Sequence, residues 1–180
     1  MKKLKMDELN RVSIEDYKLQ KKIPLVIVLD NIRSLNNIGS AFRTADAFSV
    51  AAIYLCGITG TPPHKEIHKT ALGATESVEW KYFENTSDAI DDLIAEGFLV
   101  YAIEQASGSI KLNDYKPDIN NKTAFVFGNE VNGVEEKLFE KVNSVIEIPQ
   151  FGTKHSLNIS VSVGIVVWHY VLSIKKGTAE

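Results

Sequence analysis

The chain has 180 residues, of which 44% are hydrophobic and 24% are charged, values typical of a single globular domain with a substantial core. A formal net charge of −3 and an isoelectric point near 5.8 argue against bulk, sequence-blind binding of nucleic acid, although a local basic patch is compatible with both. The single cysteine, Cys56, lies in an apolar run, which predicts a buried thiol in a reducing compartment.

The N-terminal segment is charged and lacks the apolar run of a signal peptide. No stretch reaches membrane-spanning length without polar residues. We therefore expect a soluble cytoplasmic protein. Residues 1–22 are predicted to be an N-terminal extension with a short surface helix at 6–18, and residues 23–176 a single domain.

Strands and helices alternate along that domain. Residues 23–29 form a continuous β-branched run, typical of a central parallel strand buried on both faces. Further strands are predicted at 51–55, 78–83, 98–103, 123–127 and 144–148. Helices are predicted at 37–48, 64–72, 86–96 (capped by Thr86 or Ser87), 134–142 and 157–174, with a polar loop at 105–121. The alternation indicates an α/β fold with a mainly parallel sheet flanked by helices.

The first candidate motif surrounds Arg43, in a predicted helix that is otherwise rich in alanine, phenylalanine and threonine. A guanidinium in such surroundings needs an anionic partner, since burying an unpaired charge is costly. Asp46, three residues later, could be that partner; alternatively, the planar fork of Arg43 could clamp a phosphate. Asn37 lies at the helix start, where it could cap the helix or meet a ligand.

The second motif is a strand that runs into a glycine-bounded loop at residues 125–133. Gly128 would let a ligand approach the backbone closely. Glu130 could orient a substrate hydroxyl or bond to neighbouring backbone groups. The stretch is neither a Walker loop nor a Gly-x-Gly-x-x-Gly fingerprint, and alone it is equally typical of a plain strand-to-helix turn.

The third motif, residues 146–164, is predicted to be a strand end, a loop broken by Pro149 and Gly152, and the start of an apolar helix. Ser156 and Asn158 are both good candidates for the N-cap of that helix. Open α/β sheets usually bind ligands where a strand end leads into such a loop. An ordinary capped helix would give the same pattern.

Taken together, the three motifs resemble those of the SpoU (TrmH) family of RNA ribose 2′-O-methyltransferases, in the SPOUT superfamily. The resemblance covers residues 22–174: Asn-x-Gly-x-x-x-Arg-x-Ala at 37–45, Phe-Gly-Asn-Glu at 127–130, and Ile-Pro-x-x-Gly-x-x-x-Ser-Leu-Asn-x-Ser at 148–160. It implies an enzyme that uses S-adenosylmethionine and whose C-terminal segment threads a loop to form a deep trefoil knot. It also implies a homodimer in which one subunit's arginine reaches toward the other's cofactor.

The resemblance further implies which residues form the site. The cofactor would be held in the knot, largely by backbone, at Phe127, Gly128, Asn129, Ile148, Pro149, Gln150, Gly152, Ser156 and Leu157. The family's catalytic positions correspond to Arg43, Asn37, Glu130, Ser156 and Asn158.

The segment at 61–70 is the best candidate for an RNA-contacting patch, and a solvated basic loop is the alternative. The predicted RNA-binding residues are Arg33, His64, Lys65, Lys69 and Lys154. His64 and His68 are spaced like a pair of metal ligands, but no acidic or cysteine cluster accompanies them, so we expect no metal.

Residues 103–106, 128–130 and 148–150 are similar to eukaryotic tRNA methyltransferases that act on the D-loop guanosine at position eighteen, which favours tRNA as substrate. A 23S rRNA target is the alternative. The chain lacks the N-terminal RNA-binding domain and basic extensions found in other members, which predicts weak autonomous RNA binding. The rival function is a non-catalytic RNA-binding module, which would have little reason to keep all five catalytic side chains.

Overall fold

The computed structural model describes residues 1–9 and 11–177. Within them, the strands are β1 (Ile23–Asp30), β2 (Val50–Cys56), β3 (Glu79–Phe83), β4 (Phe98–Ile103), β5 (Ile110–Lys111), β6 (Lys122–Phe127) and β7 (Ser144–Glu147). The α-helices are α1 (Ile14–Leu19), α2 (Leu35–Ala47), α3 (Lys65–Ala71), α4 (Ala74–Ser77), α5 (Thr86–Ala95) and α6 (Ile159–Gly177). Short 3₁₀ helices occupy Met6–Leu9 and Glu136–Glu140.

These strands form one sheet in the order β3-β2-β1-β6-β4-β7-β5, and all their pairings are parallel. From β1 the chain adds β2 and β3 on one side, and the later strands lie on the other side. The boundary between β1 and β6 is therefore the point where the strand order reverses. In open α/β sheets, ligands bind beyond the carboxyl ends of the strands at such a point.

Apolar side chains cover both faces of the sheet, since successive residues of a strand point to opposite sides. Leu25, Ile27 and Leu29 of β1 belong to a buried cluster that includes residues of α2 and α6. Val26 and Val28 belong to a second cluster, which includes residues of α5. The continuous apolar run of β1 is thus explained by burial on both faces, as its sequence predicted.

The α/β class and parallel sheet are confirmed, and the predicted strands are present with ends that differ by at most one residue. The segment predicted as a loop at 105–121 contains β5, which pairs with β7 at the sheet edge. The helix predicted at 64–72 is followed by a further short helix, α4, which the sequence reading missed. Leu72 and Gly73 both have positive φ and turn the chain, and α4 begins directly after them.

Three helix predictions need correction. The helix expected at 6–18 is divided, because Ser13 caps a new helix by accepting a hydrogen bond from the Asp16 N–H at 3.0 Å. The segment 134–142 forms only the 3₁₀ helix Glu136–Glu140. The N-cap residue of α5 is Asn85; Thr86 lies inside the helix and donates instead to the buried Asp30 carboxylate at 2.5 Å.

The start of α6 is decided by Asn158. Its Oδ1 accepts a hydrogen bond from the Ser160 N–H at 2.9 Å, and its backbone oxygen accepts from the Val161 and Ser162 N–H groups at 3.0 Å each. Ser156 precedes that turn, so of the two candidate caps only Asn158 acts as one. Among the helices of the described residues, none has both the length and the apolar character needed to cross a membrane.

Candidate active site

A large cleft lies beyond the carboxyl ends of β6, β4 and β7, on one side of the point where the strand order reverses. Its volume is about 850 Å³, which falls within the range of small-ligand sites. Segments that follow three neighbouring strands line it: 103–107 after β4, 127–134 after β6, and 148–162 with gaps after β7. The second and third motifs therefore share one cavity.

Glu130 joins the second motif to the first. Its Oε2 accepts from the Arg33 N–H at 3.1 Å, and its Oε1 accepts from the Ser34 N–H and from Asn37 Nδ2, both at 3.2 Å. Burial acts to raise the pKa of Glu130, but these donors outweigh it and hold the pKa below the ordinary 4.5. Glu130 is therefore an ionised hydrogen-bond acceptor at neutral pH.

Asn37 links the first motif to the third. Its Oδ1 accepts a hydrogen bond from Asn158 Nδ2 at 3.2 Å, while its own Nδ2 donates to Glu130. The helix cap of α2 is Ser34, whose Oγ accepts from the Asn37 N–H at 3.3 Å. Asn37 is therefore free of the capping role considered for it, and its side chain connects residues 93 and 121 positions away in sequence.

The loop after β6 is closed by its own backbone. Asn129 and Gly133 exchange two hydrogen bonds, of 3.0 and 2.9 Å, in an antiparallel bridge. A Cβ atom at Gly128 would overlap the backbone of Gly133 and Val134. Glycine is thus needed at 128 because the returning loop packs directly on it, rather than solely for ligand approach.

Two cleft residues that the sequence reading gave no role, Glu104 and Gln105, hold both loops to the end of β4. Glu104 Oε2 accepts from the Val134 N–H at 3.0 Å, and its Oε1 accepts from the Gln105 N–H at 2.8 Å. Gln105 Nε2 donates to the carbonyl oxygen of His155 at 2.6 Å. In the sequence they stand directly after a predicted strand, within the stretch 103–106 that is similar to tRNA methyltransferases, but neither fact indicated these contacts.

Most of the predicted cofactor-binding residues lie in the lining of the cleft: Phe127, Gly128, Asn129, Ile148, Gln150, Ser156 and Leu157. Pro149 and Gly152 lie in the same loop but do not line it. Three carboxylates, of Glu104, Glu130 and Glu136, also line the cleft, and no ion pair among residues 1–9 and 11–177 includes them.

Arg43 lies outside this cleft. It projects from α2 into a separate surface groove, lined also by Arg11, Tyr17 and Asp46. Its side chain is exposed, so the burial inferred from its neighbours in sequence is wrong. It forms no ion pair with Asp46 among the described residues; Asp46 instead accepts from Ser77 Oγ at 2.5 Å. Within one chain, Arg43 is therefore separated from the other four predicted catalytic residues.

The predicted RNA-binding residues fall into two groups, all with exposed side chains. Lys154 directly precedes His155, which lines the cleft, and the Arg33 N–H donates to Glu130, which also lines it. His64 and Lys65 line a second pocket, while Lys69 pairs with Glu66 at 2.8 Å. Within the described ranges, no group of three or more potential metal ligands comes together.

A model of the SpoU rRNA Methylase family matches residues 24–168. The chain belongs to this family. Among its relatives is the 23S rRNA (guanosine-2′-O-)-methyltransferase RlmB of Neisseria meningitidis, 31% identical over 88% of this chain and 62% of the relative. Another is the tRNA (guanosine(18)-2′-O)-methyltransferase of Borreliella burgdorferi, 27% identical over 87% of this chain and 70% of the relative.

A solved SpoU-family structure with a similar fold is an AdoMet-bound rRNA methyltransferase from Sinorhizobium meliloti. It superposes with a TM-score of 0.76 and is 28% identical, over 90% of this chain and 60% of that one. The SpoU chain described here thus spans less than two thirds of the length of several proteins that it matches.

The cleft of this SpoU protein fits the cofactor of its family. S-adenosylmethionine carries a sulfonium and an ammonium group, and the unpaired carboxylates of Glu104, Glu130 and Glu136 give the cleft a complementary charge. Ile103, Phe127 and Leu157 add apolar surface suited to the adenine ring and the methylene groups.

Proposed function

We propose that the chain is an S-adenosylmethionine-dependent RNA methyltransferase that acts on a ribose 2′-hydroxyl. The observation that carries this proposal is the hydrogen-bonded series Glu130–Asn37–Asn158. It joins the three family motifs at the edge of a cleft with the volume and charge for the cofactor. A non-catalytic module that only binds RNA would not need three polar side chains hydrogen-bonded to one another beside that cleft.

When bound, the cofactor supplies a methyl group already activated by its sulfonium, so the protein must chiefly position the ribose hydroxyl and remove its proton. Asn37, Ser156 and Asn158 would hold the ribose, and ionised Glu130 fixes the orientation of Asn37. Arg43 would grip the phosphate on the 3′ side through its two-pronged guanidinium. The hydroxyl proton would pass to that phosphate or to Arg43; because an arginine side chain is normally protonated and is then a poor base, the phosphate is the simpler acceptor.

Arg43 would act on the cleft of a second subunit in a homodimer. The exposed face of α6 is apolar, with Val161, Ile165, Trp168 and Leu172 exposed by 48%, 37%, 53% and 38%. An apolar stripe of this length on a helix is typical of a protein–protein interface. Trp168 also contacts Phe48 at the end of α2, with ring centroids 5.8 Å apart, so the stripe adjoins the helix that carries Arg43.

The relatives include enzymes that act on different RNAs, so the RNA substrate is a separate proposal. We propose tRNA, with the D-loop guanosine at position eighteen as the target, from the similarity noted at residues 103–106, 128–130 and 148–150. A tRNA (guanosine(18)-2′-O)-methyltransferase among the relatives supports it. A 23S rRNA target is the second candidate, since a relative at 31% identity is a 23S rRNA enzyme.

The C-terminal trefoil knot stays a prediction from the resemblance to the family.

The deciding experiment measures transfer of tritium from labelled S-adenosylmethionine to total tRNA and, separately, to rRNA, with Arg43→Ala as the control. Label in one RNA that is absent with Arg43→Ala supports the proposal and identifies the substrate class. Failure to bind S-adenosylmethionine in an equilibrium titration would overturn it. Binding without transfer to either RNA would contradict both proposed substrates.

A further inference from the structure

A second pocket lies at the sheet edge, outside the cleft. It is bounded by the loop after β2, by α3 and α4, and by edge strand β3, and its volume is about 460 Å³. Its walls are largely apolar: Pro62, Pro63, Ile67 and the indole of Trp80. We call it the Trp80 pocket. Its residues take no part in the reaction described above.

The indole of Trp80 is half-buried on an exposed edge strand and packs against the core. Among the described residues, it takes part in no ring pair and its N–H donates no hydrogen bond, although buried tryptophans usually find a partner. Glu76 and Thr75 line the same pocket and supply a carboxylate and a hydroxyl. An aromatic surface beside a few hydrogen-bonding groups is the composition of a nucleobase site.

Basic groups surround the opening. Lys65 is exposed and enters no ion pair of the described residues, and His64 and His68 line the pocket with it. His64 Nδ1 accepts from the Glu66 N–H at 3.2 Å, so the neutral ring carries its proton on Nε2 and can donate. These groups are suited to the phosphates on either side of a bound base.

The pocket is joined to the proposed active site by packing. Thr70 Oγ1 of α3 donates to the carbonyl oxygen of Asn36, the residue before Asn37, at 3.0 Å. A Cβ atom at Gly39 would overlap Thr70 and the Ile67 carbonyl, so α3 lies directly on the first turns of α2. One strand of RNA can therefore contact the same α2–α3 unit at both places.

We propose that the Trp80 pocket binds an unpaired base of the RNA substrate, stacked on Trp80, with an adjacent phosphate on Lys65. This inference rests on the proposed function only in taking RNA as the substrate. A single-stranded nucleotide is favoured over an apolar peptide because cations and a stacking surface occur together here. Sequence preference would come from Glu76, which can accept from an exocyclic amino group.

Tryptophan fluorescence tests the pocket without requiring catalysis. The chain has two tryptophans, Trp80 and Trp168. We expect a mixed-sequence RNA hexanucleotide to quench the wild type and Trp168→Phe, and to leave Trp80→Phe unquenched. An abasic oligomer with the same phosphates should quench little. Equal quenching by the abasic oligomer, or unchanged quenching in Trp80→Phe, would overturn the proposal whether or not the protein methylates RNA.

Binding and kinetics give the second test. Trp80→Ala should weaken hexanucleotide binding by about 5- to 100-fold, while leaving the dissociation constant of S-adenosylmethionine unchanged. Tyr82→Ala is the matched control, because Tyr82 is an exposed aromatic on the same strand outside the pocket. Lys65→Ala, at an exposed position, covers the case in which Trp80→Ala fails to fold. On whichever RNA accepts methyl groups, both pocket variants should raise KM with kcat little changed; a loss confined to kcat would contradict a binding role.

Discussion

At the scale of single residues, Glu130 is the side chain on which the site geometry most depends. Replacing it by glutamine would set an amide N–H₂ either against the Arg33 N–H or against the Ser34 N–H and the Asn37 side-chain donor together, because those two share one carboxylate oxygen. We expect Glu130→Gln to slow methyl transfer by roughly 10-fold or more. Glu135→Gln, which alters an exposed carboxylate paired only with Lys137, is the control. A wild-type rate in single-turnover assays of Glu130→Gln would contradict this role.

The lowered pKa of Glu130 also predicts a pH dependence. A carboxyl whose pKa is lower in the folded protein stabilises the fold fully above its unfolded pKa and loses that contribution as the pH falls through the folded value. The hydrogen bonds of Glu130 should therefore persist from neutral pH down to 4.5 and weaken only below it. Thermal unfolding of wild type and Glu130→Gln should converge only below pH 4.5. Convergence already near pH 6 would show that the site does not favour the ionised form.

The raised pKa of Cys56 predicts that its thiol is unreactive in the folded protein. Burial raises the pKa of its thiol to about 12, so almost no thiolate exists at neutral pH. Ellman's reagent should not react with the native protein at pH 8, whereas one thiol should appear after unfolding in guanidinium chloride. Rapid labelling of the native protein would show that the second core cluster opens locally.

At the scale of elements, the loop after β6 depends on glycine at position 128. Gly128→Ala places a methyl group against the backbone of Gly133 and Val134, so the Asn129–Gly133 bridge must open. We expect S-adenosylmethionine binding, measured by calorimetry, to weaken by roughly 10-fold or more, at a cost in stability of about 1–3 kcal/mol. Circular dichroism establishes that the variant is folded, and unchanged affinity would mean that the cofactor does not contact this loop.

The elements also show what a sequence pattern can and cannot predict. Strands β1 and β6 could be predicted from their continuous apolar residues, because a strand buried on both faces of a sheet needs apolar side chains at successive positions. The helix expected at 134–142 is replaced by a short 3₁₀ helix, and the Val134 N–H before it donates to Glu104, thirty residues earlier in the chain. The roles of Glu104 and Gln105 depend on contacts between distant segments, which no local periodicity records. The surroundings of Arg43 were misjudged because neighbours in sequence do not show which face of a helix is exposed.

At the scale of the whole molecule, the separation of Arg43 from the cleft predicts complementation between subunits. A dimer of Arg43→Ala with Glu130→Gln would pair one intact cleft with one intact arginine. Coexpression of the two variants should therefore restore roughly a quarter of wild-type activity, as expected for random pairing in a twofold dimer. Trp168→Asp, which puts a charge in the apolar stripe of α6, should abolish the recovery and give monomers in sedimentation experiments. No recovery from stable mixed dimers would mean that each site uses its own Arg43.

The end of β4 gives a common support to the two loops that line the cleft, after β6 and after β7. Glu104 holds the loop after β6 and Gln105 holds the loop after β7, through adjacent side chains on one strand end. Their opening should then be a single cooperative event, visible as matched amide hydrogen-exchange rates in the two loops. A ligand that contacts either loop would slow exchange in both. The protein would in that case admit its cofactor by breaking the contacts of Glu104 and Gln105 together, so that both loops open at once.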